Sequence, residues 1–231
     1  MNVATLLACV FTMLPGTNAA SGNLKSPISN LKSPISNLKS QISNLNSPLT
    51  ADYVEARTAS VFAGPCHING EIMTTGNDAL LAWRFDNGAR IMADVSCQSN
   101  LLHTSAPRQS EIVIDGPSAA ARDSALHAIL SQDSSTLGHV VSIRRAPISF
   151  QIKSGEFTVN SPAIGSLDIR ALPDCDCCKQ PNNVWFTPLA KLTRPMVGYT
   201  IIAQHTSNRA GDPWEREDEN GAFFGAITYQ Q

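Results

Sequence analysis

Alternating apolar and polar residues occupy most of the chain after residue 51 and predict a protein rich in antiparallel β-strands. Two apolar runs in ALLAWRFDNGARIMADVS flank Asp86-Asn87-Gly88. Asn-Gly between such runs is the strongest short-range signal for a β-hairpin. The segment ISFQIKSGEFTVNS repeats this plan, with alternating residues on either side of Ser154-Gly155. Further short strands are predicted in EIVIDG, SLDIRAL and AFFGAITY.

The segment GYTIIAQHTS is also predicted to be a strand. Strict alternation would place Tyr199, Ile201, Ala203 and His205 on one face. If that face lies against the core, His205 points inward. A single inward histidine is more often a hydrogen-bonded core residue than a metal ligand, and both interpretations are kept here.

Only one segment has a helical pattern. Residues 118–131 place Leu126, Ile129 and Leu130 on one side, and Ser118 follows a proline as a candidate N-cap. The acidic run EREDEN, residues 215–220, is predicted to be a solvated loop. The predicted fold class is therefore α+β and β-rich, with antiparallel hairpins and sheets and one main amphipathic helix.

The first residues resemble a secretory signal peptide. The chain is apolar from Val3 to Leu14, turns at Pro15-Gly16, and then offers small residues for cleavage, although no basic residue precedes the apolar run. We assign residues 1–20 to a signal peptide, which predicts export to the periplasm or cell envelope. The apolar run is too short to span a bilayer, so no transmembrane segment is expected in the mature chain.

A tandem repeat of seven residues follows, in the segment NLKSPISNLKSPISNLKSQISNLNSPLT. Its apolar positions have the spacing of a coiled-coil seam, but Pro27, Pro34 and Pro48 oppose a helix at about 3 kcal/mol each. We therefore predict that residues 21–50 are a disordered tether. Residues 51–231 are predicted to form one β-rich domain, or two lobes that meet near Ala146.

The charge balance and the motifs exclude several classes of function. The 231 residues carry a formal net charge of −2 and no basic stripe, so nucleic acid is not an expected partner. The sequence contains no phosphate-binding loop, dinucleotide fingerprint, nucleophile elbow or zinc-protease motif. We expect no nucleotide cofactor, and the balance of signals is against an enzyme.

The cysteines carry the main chemical signal. The stretch LPDCDCCKQP holds Cys175, Cys177 and Cys178, and GPCHING holds Cys66 beside His67. Neighbouring cysteines form disulfides with each other poorly, because the closed ring is too small for normal disulfide geometry. Gathered thiolates favour soft or borderline ions such as copper(I) and zinc. The predicted site is a metal site of Cys66, Cys177 and Cys178, with Cys175, His67 and His205 as candidate extra ligands.

Two other functions are compatible with these cysteines. A bridge from the cluster to Cys66 or Cys97 would make the protein a disulfide-stapled module that binds a small ligand or another protein. A thiol oxidoreductase is the second alternative, although Cys177 interrupts the Cys-x-x-Cys spacing from Cys175 to Cys178.

Several motifs together resemble the bacterial family known as domain of unknown function 1326. They are ADYVEARTASVFAGPCHINGE, ALLAWRFDNG, CCKQPNNVWFTPL, VGYT and NGAFFGAI, and they span residues 51–229. The resemblance implies that Cys66 and the pair Cys177-Cys178 are recurring features of the family, whereas Cys175 is not placed on its pattern. It also implies a metal role, with a membrane metal-handling protein as partner.

Overall fold

A computed structural model of the protein describes residues 47–59, 76–102, 105–172 and 187–230. Strands account for most of this part of the chain. The strands are β1 (Leu49–Arg57), β2 (Asp78–Phe85), β3 (Arg90–Cys97), β4 (Arg108–Asp115), β5 (His139–Arg145), β6 (Ser149–Lys153), β7 (Glu156–Ser161), β8 (Gly165–Ala171), β9 (Thr193–His205) and β10 (Trp214–Tyr229). The helices are α1 (Ala119–Gln132) and α2 (Ser134–Leu137).

All ten strands belong to one sheet that curls into a half-barrel. Its order is β5-β4-β3-β2-β1-β10-β9-β8-β7-β6, so strands on both sides of Ala146 share one hydrogen-bonded ladder. Neighbours are antiparallel except β4 and β5, which are parallel. Because a parallel pair needs a crossover, the two helices lie between β4 and β5 in the sequence.

The predicted α+β class is wrong. The residues that the structure describes are 57% strand and 12% helix, which makes this part of the chain a mostly β fold with two short helices. The predicted helix exists, and the Ser118 side chain accepts a hydrogen bond from the backbone N–H of Ala121 as its N-cap. It is not strongly amphipathic, because its buried residues are only Ala125, Ala128 and Ile129. The helix packs against one part of a sheet that the ten strands form. No described helix is long and apolar enough to cross a membrane.

Both predicted hairpins are confirmed. β2 and β3 pair in antiparallel register around the turn that contains Gly88, which has φ of 85°. β6 and β7 pair around Ser154 and Gly155, with φ of 52° and 82°. These positive φ values match the turns that the right-handed twist of a hairpin favours.

The sheet buries apolar side chains on both faces. The outer face is the one that the helices and residues 189–192 cover, and its core includes Tyr53, Trp83, Ile91, Ile112, Ile129 and Tyr229. The inner face carries a second core drawn from both halves of the sheet, with Val54, Leu80, Met92, Val113, Phe157, Leu167, Ala203 and Phe224. Since side chains alternate along a strand, neighbouring residues of β1–β4 serve different cores.

Two predictions for β9 and β10 are wrong in detail. The acidic run 215–220 lies within β10 rather than in a loop. In β9, the register against β8 shifts between Asp168 and Ile169. Thr200 and Ala203 are both buried whereas Tyr199 and Ile201 are only partly buried, so alternation does not continue across the shift. Ala203 and His205 face inward, as predicted, but Tyr199 and Ile201 do not share their face.

Candidate functional site

The structure describes one of the six predicted ligands. Cys66, His67, Cys175, Cys177 and Cys178 lie outside the described residues. His205 is described, at the end of β9, and its side chain has 1% of its surface exposed. Its surroundings therefore supply the geometry of the candidate site.

His205 lies between two carboxylates on the inner face. Its Nδ1 is 3.6 Å from Oδ1 of Asp94 on β3, and its Nε2 is 3.4 Å from Oε1 of Glu111 on β4. Nδ1 is also 3.3 Å from the backbone oxygen of Asp212. The imidazole thus joins β9 to two strands on the other side of the half-barrel.

Asp94 is the most perturbed acid of this group. It is fully buried, and neither carboxylate oxygen accepts a hydrogen bond from the described residues. Burial, and then the negative charges of Asp78 and Glu111, raise the pKa of Asp94 to about 8. The nearby indole of Trp214 offsets part of this rise in the pKa, although its Nε1 makes no hydrogen bond within the described part of the chain.

Glu111 has better compensation than Asp94. It is fully buried, and its Oε2 lies 2.8 Å from the guanidinium of Arg144 on β5. Asp78 is only partly buried, and desolvation raises its pKa, while the neighbouring His205 lowers it. We call Asp78, Asp94, Glu111, Arg144 and His205 the inner cluster.

The inner cluster does not have the arrangement of a metal centre. Among the described residues, no group of three or more His, Cys, Asp or Glu side chains is placed to hold a metal ion. Both ring nitrogens of His205 already face carboxylates of different strands. The arrangement instead suits retention of a proton by Asp94, because burial raises the pKa of this carboxyl and its nearest basic neighbour is a buried imidazole 3.6 Å away.

A second charged cluster lies on the outer face, formed by Tyr53, Glu55 and Arg57 of β1. Glu55 is fully buried and accepts hydrogen bonds from the Tyr53 hydroxyl, from Arg57 Nε at 2.9 Å and from the backbone N–H of Leu189 at 2.8 Å. The Arg57 guanidinium donates to the backbone oxygen of Thr187 and stacks 5.4 Å from the ring centroid of Phe223. We call these three residues the outer cluster.

The outer cluster marks where the first cysteine-bearing segment begins and where the second one ends. The described chain stops at Ala59, two residues after Arg57, and resumes at Thr187, which Arg57 binds. A Cβ on Gly76, where the chain resumes after the first segment, would lie 2.9 Å from that of Ala59. The second segment begins elsewhere: Leu172, the last described residue before it, follows β8 and donates to the backbone oxygen of Val197 on β9. Along the sheet, β8 is three strand spacings, or ~14 Å, from β1.

Cys97 is a buried free thiol among the described residues. It lies at the end of β3 in the outer core, with 5% of its surface exposed. It therefore packs as a small apolar residue of the outer core and gives no support to a bridge from Cys97 to the cluster.

The sequence did not reveal Asp94 or Glu111 as site residues. Each occupies an inward position of a strand whose neighbouring inward residues, Met92 and Val113, are apolar. The signal in the sequence is an acidic residue at a position where the alternation of the strand predicts an apolar one. Such a residue must be neutralised or paired when it is buried, so it is a candidate site residue. Strand order, which the sequence does not supply, is what brings them to His205.

Comparison with known protein families gives no matching family model, and comparison with curated proteins gives no significant match. The resemblance to domain of unknown function 1326 therefore stays a prediction from the motifs quoted above.

Proposed function

We propose that the protein binds a soft metal ion, copper or zinc, through Cys66, Cys177 and Cys178, and hands it over without catalysing a reaction. Thiolates suit such ions, and Cys175 and His67 can complete the coordination. His205 is left out of the proposed ligands because both of its ring nitrogens face buried carboxylates.

The observation that carries the proposal is the common anchor of the two cysteine-bearing segments. Arg57 lies two residues before the last described residue ahead of Cys66 and binds the first described residue after Cys178. Because Glu55 holds both Arg57 and Leu189, this anchor is a buried, hydrogen-bonded structure rather than a surface contact. Because one end of each segment is fixed at this anchor, less entropy is lost when their thiolates gather around an ion.

The cellular setting follows from the N-terminal sequence. An exported, tethered domain would receive its ion in the cell envelope and pass it to a membrane metal-handling protein. A membrane fraction that takes up the ion from the loaded protein, and fails to do so from the cysteine variant below, would support this transfer role.

The test begins with protein purified without chelator or immobilised-metal chromatography. Bound metal is measured by mass spectrometry, and free thiols are counted before and after reduction. We expect near-stoichiometric copper or zinc that is lost in the double variant Cys177→Ser, Cys178→Ser. The control is Cys97→Ser, which removes a thiol from the outer core and should leave the metal content unchanged.

Two other outcomes would contradict the proposal. Two thiols that appear only after reduction, with no metal bound, would identify the disulfide-stapled binding module. Turnover of a model disulfide that depends on Cys177 or Cys178 would identify a thiol oxidoreductase.

A further inference from the structure

The inner cluster has more buried acid than its described bases neutralise. Three carboxyl groups surround His205, from Asp78 on β2, Asp94 on β3 and Glu111 on β4. Arg144 on β5 pairs with one of them, Glu111, at 2.8 Å. The carboxylate of Asp212, in the loop after β9, adds a further negative charge near Asp78. An unpaired buried carboxylate is costly, so a neutral form of one acid is favoured.

The hydrogen bonds point to Asp94 as the acid that takes the proton. Glu111 has an arginine partner, and Asp78 is hydrogen-bonded by Ser96 and only partly buried. Asp94 is fully buried, and no described residue donates a hydrogen bond to either of its oxygens. Its closest basic atom is Nδ1 of His205, at 3.6 Å.

We propose that the inner cluster is a proton-binding site, in which the Asp94 carboxyl, beside His205, retains a proton in the folded protein at neutral pH. Asp94 on β3 faces His205 on β9 across the half-barrel, and three strands, β2, β1 and β10, lie between β3 and β9 in the sheet order. A retained proton removes the repulsion between Asp94 and Glu111, which stand opposite each other in the β3–β4 register. Its loss weakens the contact that closes the half-barrel at this end.

The direction of the pH effect follows from linkage. The pKa of Asp94 is raised to about 8 by burial, whereas an exposed aspartate titrates near pH 4. The folded state therefore binds more protons than the unfolded state between these values. Stability from this site is complete in acid and declines as the pH rises towards about 8.

The test compares the full chain with its Asp94→Asn variant, in which an amide replaces the neutral acid. Melting temperatures are measured from about pH 5 to about pH 9, across the window of the raised pKa. We expect the melting temperature of the variant minus that of the wild type to grow with pH and then level off. The control is Asp52→Asn, the same change at a half-exposed acid on β1, for which the difference should stay constant.

Infrared spectroscopy of the wild-type protein gives a second readout that needs no variant to fold. A neutral carboxylic acid has its own carbonyl band, and we expect this band at about pH 7 and its loss in alkali. The band should be absent in Asp94→Asn. It should be unchanged in Asp133→Asn, because burial raises the pKa of this second buried acid only to about 6, below the pH of the measurement. If the wild type has no such band at neutral pH, or if the difference in melting temperature does not depend on pH, the proposal is overturned.

Discussion

Glu55 and Asp94 are both acids without exposed surface, on opposite faces of the same sheet, yet their surroundings differ. Glu55 has three donors, from a tyrosine, an arginine and a backbone amide. No described residue donates to Asp94. The same kind of residue is therefore held as part of an ion pair on the outer face and as a neutral acid on the inner face.

The difference separates two uses of buried charge. A fully hydrogen-bonded ion pair fixes geometry, and here it fixes one end of each segment that carries the proposed metal ligands. A buried acid without hydrogen-bond donors responds to pH, because burial favours its neutral, protonated form over the carboxylate. The predictions below compare the two faces, from the largest expected effect to the smallest.

The largest loss of stability is expected for Glu55→Gln. This change leaves the Arg57 guanidinium, with 3% of its surface exposed, without its buried counter-charge. Breaking such a pair typically costs about 3–5 kcal/mol of unfolding free energy. Denaturant unfolding measures this loss.

A double variant separates the cost of the unpaired charge from that of lost packing. Glu55→Gln combined with Arg57→Met removes the orphaned cation, so it should recover part of the stability that the single variant loses. A single variant as stable as the wild type would show that the outer cluster does not hold its ion pair in solution.

The sequence predicted the local parts of this fold well. The turns at Asn87-Gly88 and Ser154-Gly155 depend on a few adjacent residues, so both hairpins were identified correctly. The density of charge in the run at 215–220 predicts a solvated loop, and this prediction is wrong. It is part of strand β10, in which residues 215, 217 and 218 are exposed and residues 216, 219 and 220 are partly buried.

The charged clusters could not be predicted because they depend on strand order. Asp94 and His205 are 111 positions apart in sequence and meet only when the sheet curls. Glu55 meets Leu189 for the same reason. Periodicity indicated that His205 points inward, but it gave no information on which strand would face it.

The pH dependence of a second acid sharpens the comparison. Asp133 accepts a hydrogen bond of 2.6 Å from the Tyr229 hydroxyl, and burial raises its pKa to about 6. Stability from this group is complete in acid and declines as the pH rises from its ordinary value near 4 to about 6. Asp133→Asn should remove a decline of about 2–3 kcal/mol in that window.

The window distinguishes Asp133 from Asp94. Melting curves across pH should show that Asp133→Asn alters the acidic window, whereas Asp94→Asn also alters the range up to about pH 8. Identical windows for the two variants would contradict the separate titration of these acids.

A smaller loss is expected for Glu111→Gln. Its partner Arg144 keeps 28% of its side chain exposed, so water can replace part of the lost interaction. We expect about 1–2 kcal/mol of lost unfolding free energy, less than for Glu55→Gln. Chemical denaturation of Glu111→Gln and Glu55→Gln in the same buffer compares the two losses of stability. A larger loss for Glu111→Gln would contradict the conclusion that Glu55 has the stronger hydrogen bonds and ion pair.

The smallest effect is expected for Asp52→Asn, on the inner face of β1. Asp52 pairs with Arg84 at 2.7 Å, but the two side chains are 43% and 39% exposed. Exposed ion pairs contribute less than about 1 kcal/mol, and salt screens them. Unfolding measured at low and high salt should therefore show a small difference that disappears at high salt. A loss as large as that of Glu55→Gln would mean that burial does not separate the strong from the weak charges of this sheet.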